Sequence, residues 1–212
     1  MIFMARRKKG TKKVDKSKQR KTYNIVAPSL FGNKVVGELL SSKSENLLMR
    51  IIPLSLVELQ DGKLDPSSLY TTVKLRVVSV GEDNANTSFA GHDTAFSYLR
   101  SLARRRKSVI HEVVDVSTKD NKRIRFKTML VTFRKVSSVL KKNVRAALVE
   151  NIKKKASTLN KEDLLREVLL GKFAKEVAKE VNKITPVTHL VIRKSEVVED
   201  LKDVAKAARG VA

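Results

Sequence analysis

His92 and Asp93 stand side by side at the start of the stretch GHDTAFSYLRSLARRRKSVIHEVVDV, from Gly91 to Val116. An imidazole beside a carboxylate is the residue pair of general acid–base catalysis. Adjacent residues on a helix or a strand project in different directions, however, so sequence neighbours seldom work as a pair. Asp93 has a simpler reading as a helix N-cap, its carboxylate accepting free amide hydrogens of the first turn. His92, next to Gly91, reads as a turn residue. His111 and His189 fall in strand-like runs and are expected half-exposed, and the three histidines have no H-E-x-x-H spacing for a metal. No G-x-x-x-x-G-K-[ST] loop is present to cradle a phosphate. The chain has no cysteine, which excludes disulfides, thiolate zinc sites and cysteine nucleophiles. These residues argue against an enzyme, and no cofactor or metal is expected.

The chemistry lies in the other group of that stretch, Arg104, Arg105, Arg106 and Lys107. The chain carries 45 Lys and Arg against 22 Asp and Glu, a net charge of +23 on 212 residues. Such a charge opposes compaction until a polyanion neutralises it, and it steers the chain toward one. Guanidinium forks match phosphate oxygens and position a protein without reading sequence. Residues 5 to 21, ARRKKGTKKVDKSKQRK, hold ten Lys or Arg and one Asp. With Val14 its one aliphatic residue larger than Ala, this segment cannot bury enough surface to offset ordering entropy. It is expected to stay disordered until it meets a partner.

The elements that must position the remaining cations follow from periodicity. Val35 to Leu40 and Leu47 to Ile52 read as strands around a turn, and Ser55 to Glu58 has capping-box spacing for a short helix ending at Gly62. Val73, Leu75 and Val77 alternate as a half-buried strand, and Gly81 to Asn86 reads as a loop. Ala95, Leu99, Leu102 and Ala103 share one helical face, with Arg100, Arg104 and Lys107 on another. Val109 to Val116 and Arg123 to Phe133 form a hairpin around Lys119-Asp120-Asn121-Lys122, with Arg123, Arg125 and Lys127 on one side and Ile124, Phe126 and Thr128 on the other. Then the period turns helical. Leu140, Val144, Ala147, Leu148 and Ile152 make one stripe. Asn160 with Asp163 caps a second helix ending at Gly171, and Phe173, Val177 and Ile184 mark a third. Val187 to Ile192 is a final strand, and Val197, Leu201, Val204 and Ala205 suggest a weak last helix.

This reading gives an α+β chain with a basic tail over 1–21, one core domain over 22–196 and a C-terminal extension over 197–212. The apolar fraction of 42% suits one such domain, with a core of Leu, Ile and Val because Trp is absent and aromatics are 5%. The same scarcity of aromatics argues against stacking on single-stranded bases. The expected RNA contacts are Arg6, Arg7, Lys8, Lys9, Lys12 and Lys13 in the tail, and Arg100, Arg104, Arg105, Arg106 and Lys107 around the first long helix. Arg123, Arg125 and Lys127 on the hairpin, Arg134 and Lys135 after it, and Lys141, Lys142 and Arg145 on the next helix complete the set. Arg104 to Lys107 and Arg123 to Lys127 are expected to form one surface, with few carboxylates nearby. The start MIFMARRKK lacks the order of a signal peptide, and no apolar run reaches the roughly 18 residues of a membrane span.

The order of segments also carries a resemblance. KTYNIVAPSLFG, MRIIPLSLVELQDG, FAGHDTAFSYLRSLARRRKSVIHEVVDVSTKDNKRIRF and VTHLVIRKSEVV, spread over residues 21 to 198, are similar in order and register to the S-three-A (S-one-e) family of small-subunit ribosomal proteins. The resemblance implies a structural protein at the platform of the small subunit, near the mRNA exit. It implies a β-barrel-like mixed sheet with several flanking helices, and no catalysis. The implied partners are small-subunit ribosomal RNA, neighbouring ribosomal proteins and messenger RNA near its exit, in the cytoplasm and away from membranes. Eukaryotic members usually carry Trp about where Arg106 stands, which leaves position 106 open between core and RNA. The shorter, cysteine-free chain resembles the archaeal branch. A free basic protein that compacts nucleic acid would use the same charges and is the alternative.

Overall fold

The computed structural model describes residues 20–59 and 68–198. Eight strands form one mixed sheet: β1 (Lys21–Val26), β2 (Val35–Ser41), β3 (Ile51–Ser55), β4 (Thr71–Val80), β5 (Asn84–Thr94), β6 (Val109–Ser117), β7 (Arg123–Thr132) and β8 (Val187–Val198). The helices among the described residues are α1 (Leu56–Leu59), α2 (Phe96–Leu102), α3 (Ser138–Thr158), α4 (Lys161–Leu169) and α5 (Lys172–Asn182). The main order is β2-β1-β5-β8-β7-β6, with β4 on β5 and β3 on β4. The α+β class and flanking helices agree with expectation, but the pairings among the described residues do not close the sheet into a barrel.

β5 holds the architecture together by changing partners along its length. Asn84–Asn86 pair in parallel with β1, while Gly91–Asp93 pair antiparallel with β8. Gly91 is needed there because a Cβ would run into the Ser195 carbonyl oxygen, a backbone atom that cannot swing away.

β6 and β7 form the expected hairpin, in register from Val109↔Val131 to Ser117↔Arg123. Asn121 takes the left-handed conformation of its turn at φ 55°. Alternation puts Ile124, Phe126 and Leu130 on the inner face, where the α3 stripe Val144, Leu148, Ile152 and Ala156 packs with Phe173, Val177 and Val181 of α5. On the outer face Leu99 of α2 packs against Met129 and Val131. The α4 amide at Lys161 is capped from a distance: Asp120 Oδ2 accepts it at 2.9 Å, whereas Asn160 occupies the N-cap position without a side-chain bond.

Several boundaries differ from the sequence expectation. Leu47 ends a short 3-10 turn, Ser44–Leu47, and the strand starts only at Ile51, because Met49 adopts φ 63° and interrupts extension. Lys21 belongs to β1, a strand the periodicity did not reveal, and Asn84 to Asn86 lie in β5 rather than a loop. Asp93 lies inside β5, and Ala95 takes the α2 N-cap position without a side-chain bond. α2 stops at Leu102, so Arg104 to Lys107 form a turn and not a helix end. Leu99 is its one buried residue, and extension would place Arg104 one turn from Arg100, a repulsive spacing. Ile184 lies beyond α5, and Val197 is in β8. The rest of the expected tail, the end of the first short helix and the expected last helix fall outside the described residues.

Candidate nucleic-acid interface

The two outer segments of the basic cluster meet at a hydrogen-bonded joint. The Ser108 amide donates to Thr132 Oγ1 at 3.1 Å, and the Thr132 amide donates to the Ser108 carbonyl at 3.0 Å. The Val136 amide donates to Ser108 Oγ at 3.1 Å, and the Thr132 hydroxyl donates to the Arg134 carbonyl at 2.6 Å. Both side chains are buried, so these bonds are shielded from water. They tie the Arg104–Lys107 turn to Arg134 and Lys135. Arg104, Arg105, Arg106, Arg134 and Lys135 are exposed and make no ion pair among the described residues. Arg106 therefore faces solvent, at φ 65°. Lys107 is half-buried, its Nζ donating to Thr188 Oγ1 at 3.4 Å.

α3 begins just beyond this joint. Ser137 Oγ accepts the Leu140 amide at 3.4 Å, and no acidic side chain lies in the first turn. The positive end of the helix dipole thus adds to the cations instead of being neutralised. Lys141 and Lys142 follow in the next turn without ion pairs among the described residues. Partial desolvation, with Lys107 and Arg104 adding to it, holds the His189 imidazole below its ordinary value.

The hairpin cations do not join this surface. Arg123 lies opposite Ser117, at the other end of β7 from Thr132, roughly 30 Å away at about 3.4 Å per residue. Arg125 clasps Asp115 with two bonds, 2.6 and 2.9 Å, which hold the carboxyl below its ordinary value. Lys127 lies 3.5 Å from Glu196, whose carboxyl is depressed first by its bond to Lys194. Arg145 is 3.5 Å from Glu112. On the hairpin the expectation of few carboxylates fails, because Glu196 arrives from β8, far along the chain, and Asp115 and Glu112 lie on the facing strand. Arg100 lies on α2 with its guanidinium 4.5 Å from the Phe96 ring centroid. Arg6, Arg7, Lys8, Lys9, Lys12 and Lys13 lie outside the described residues.

His92 and Asp93 are separate structural parts. His92 is 3% exposed in β5, not in a turn. Its Nε2 lies 3.0 Å from the Ile192 carbonyl, which can only accept, so Nε2 carries the hydrogen. Nδ1 is then the acceptor for the Ser195 hydroxyl, 2.5 Å away, and that oxygen receives the His92 amide at 3.2 Å. Burial holds the imidazole pKa below its ordinary value. Asp93 instead pairs with Lys74 at 3.1 Å on the sheet surface. No group of three His, Cys, Asp or Glu among the described residues could hold a metal ion.

The sequence reading also passed over the aromatic rings beside the cations. Tyr70 stacks on Tyr98 at 4.8 Å, and Arg134 lies 6.0 Å from the Phe133 ring. The i, i+4 spacing of Phe96 and Arg100 was the legible signal.

These features define a basic α+β protein that presents unpaired cations on a hydrogen-bonded frame. The chain belongs to the ribosomal S3Ae family, whose model matches residues 8–200. It is 32% identical to small ribosomal subunit protein eS1 of Archaeoglobus fulgidus over 197 residues, 93% of each chain. The eS1 protein of Methanothrix thermoacetophila is 32% identical, over 92% of this chain and 90% of its own. That of Saccharolobus islandicus is 34% identical, over 91% of both. No helix among the described residues is long and apolar enough to cross a membrane.

Proposed function

We propose that this protein is a structural constituent of the small ribosomal subunit that binds ribosomal RNA at the platform, near the mRNA exit, with neighbouring ribosomal proteins as its other partners. Messenger RNA near that exit is a further contact in this reading, and the work is done in the cytoplasm. Family membership supports the ribosomal role. The observation that carries RNA binding is the set of exposed cations without ion pairs around the Ser108–Thr132 joint. Arg100, Arg104, Arg105, Arg106, Lys107, Arg134, Lys135, Lys141 and Lys142 would meet phosphates there. The basic segment ahead of β1 would add a second RNA-binding region beside the core domain, with the residues after β8 as an extension. Catalysis has no part in this role.

Salt dependence tests it. Each phosphate contact contributes about 0.7 to 0.9 to the log–log salt slope. Changing Arg104, Arg105, Arg106, Lys107, Arg134 and Lys135 to Gln should flatten the slope for platform RNA by roughly two to three units if half of them touch phosphate. Changing Arg123, Arg125 and Lys127 should flatten it by about one unit or less, because two of the three already face carboxylates. An unchanged slope in the first variant, still folded, would remove this end as the RNA surface. Recovery of the chain in small-subunit particles rather than free on bulk nucleic acid separates the role from general compaction.

A further inference from the structure

Aromatic residues are scarce in this chain, three Tyr and seven Phe, and their placement is uneven. Tyr23, Phe89, Phe126 and Phe173 are buried. Three aromatics among the described residues are exposed: Tyr70 at 43%, Phe96 at 58% and Phe133 at 57%. Tyr70 and Phe96 lie at the start of α2, and Phe133 follows Thr132, which is bonded to Ser108 at the end of the Arg104–Lys107 turn. Tyr70 stacks on Tyr98 of α2, with planes 11° apart, and its carbonyl accepts the Ala95 amide at 2.8 Å. Phe96 opens α2. Phe133 follows Thr132 of the joint, and its amide donates to the Pro186 carbonyl at 3.0 Å.

Leaving large rings in water forgoes the benefit of burying them, so a cluster of them marks a contact surface. Here Phe96 and Phe133 also carry guanidinium groups, Arg100 at 4.5 Å and Arg134 at 6.0 Å. Both rings remain more than half exposed with the guanidinium in place. A purely apolar partner would have to desolvate these cations without compensating them. A partner that offers negative charge and flat π faces together satisfies both features. RNA does so where its bases are unpaired, because in a duplex the base faces are covered by their neighbours.

We infer that Phe96 with Arg100, and Phe133 with Arg134, are stacking platforms for unpaired RNA bases on either side of the Arg104–Lys107 turn. The Tyr70–Tyr98 stack braces the start of α2. The turn between the platforms holds the backbone phosphates that join the stacked nucleotides. This inference rests on the RNA-binding role proposed above and adds strand state to it: this face prefers single-stranded over double-stranded RNA.

The test uses the full chain with a labelled single-stranded oligoribonucleotide and a duplex of equal length, at several salt concentrations. The variant is Phe96→Leu with Phe133→Leu, which keeps apolar bulk and removes both π faces. Stacking contributes about tenfold in affinity per base. The double variant should therefore bind the single strand at least tenfold more weakly, while duplex affinity and both salt slopes stay as in the wild type. A 2-aminopurine in the single strand should be quenched on binding by the wild type and not by the variant. Equal loss for both RNAs, or no loss for either, overturns the inference. The second result would leave the rings to a protein neighbour. Failure of the RNA-binding role looks different: the arginine-to-glutamine variant would then keep its salt slope whatever the Leu variant does.

Discussion

His92 and Ser195, 103 residues apart in sequence, are joined twice through one hydroxyl, which receives the His92 amide and donates to the His92 ring. The pair locks β5 to β8 where β5 leaves β1 for its new neighbour. A residue pair that looks like acid and base in sequence is here a buried link between two strands and, beside it, a surface ion pair.

Acidification should therefore weaken the fold through His92. Its folded pKa is held below the ordinary 6.5, chiefly by burial, with the bond to the Ile192 carbonyl and then Asp93 opposing and Lys74 adding to that effect. Below 6.5 the unfolded chain takes up a proton that the folded chain refuses, so stability falls as pH drops through that value. The fall continues until folded His92 itself protonates. Thermal melts of wild type and His92→Gln at pH above and below this window should show a steeper acid loss in the wild type. Parallel losses would mean another group dominates.

Gly91→Ala should cost about 1–3 kcal/mol, the range for overpacking, because the new methyl meets the Ser195 backbone rather than a movable side chain. Denaturant titration measures it. A variant as stable as wild type would show that β5 and β8 can separate without penalty.

Asp93→Ala should cost only about 0–1 kcal/mol, as for exposed pairs, since what is lost is the bridge to Lys74. A cap would have been worth more. A double-mutant cycle with Lys74→Ala isolates the pair, and a coupling well above that range would contradict the assignment.

The cap on α4 belongs to Asp120, so Asp120→Ala should cost about 0.5–2 kcal/mol and Asn160→Ala distinctly less. The reverse order, read by thermal denaturation of both variants, would return the cap to Asn160.

The hairpin shows what local pattern can and cannot reveal. Arg123, Arg125 and Lys127 alternate with Ile124, Phe126 and Thr128, and strand period alone put the first three outside. Asp115 lies across the same hairpin, but nothing local showed that Glu196 would come from β8 to meet Lys127. A pairing between strands depends on register, and the register of β8 on β7 is decided by the whole sheet.

The sequence by itself determined the charge excess, the α+β class, the hairpin with its Asn121 turn, the α3 stripe and the family, because these rest on composition, short periods and segment order. The tertiary structure decided which cations stay unpaired, that Asp93 is a strand residue, that His92 is buried and neutral, and that scarce aromatics gather beside the arginines. Each of those depends on which distant backbone lies alongside, and solvation and charge pairing are properties of neighbours in space rather than in sequence.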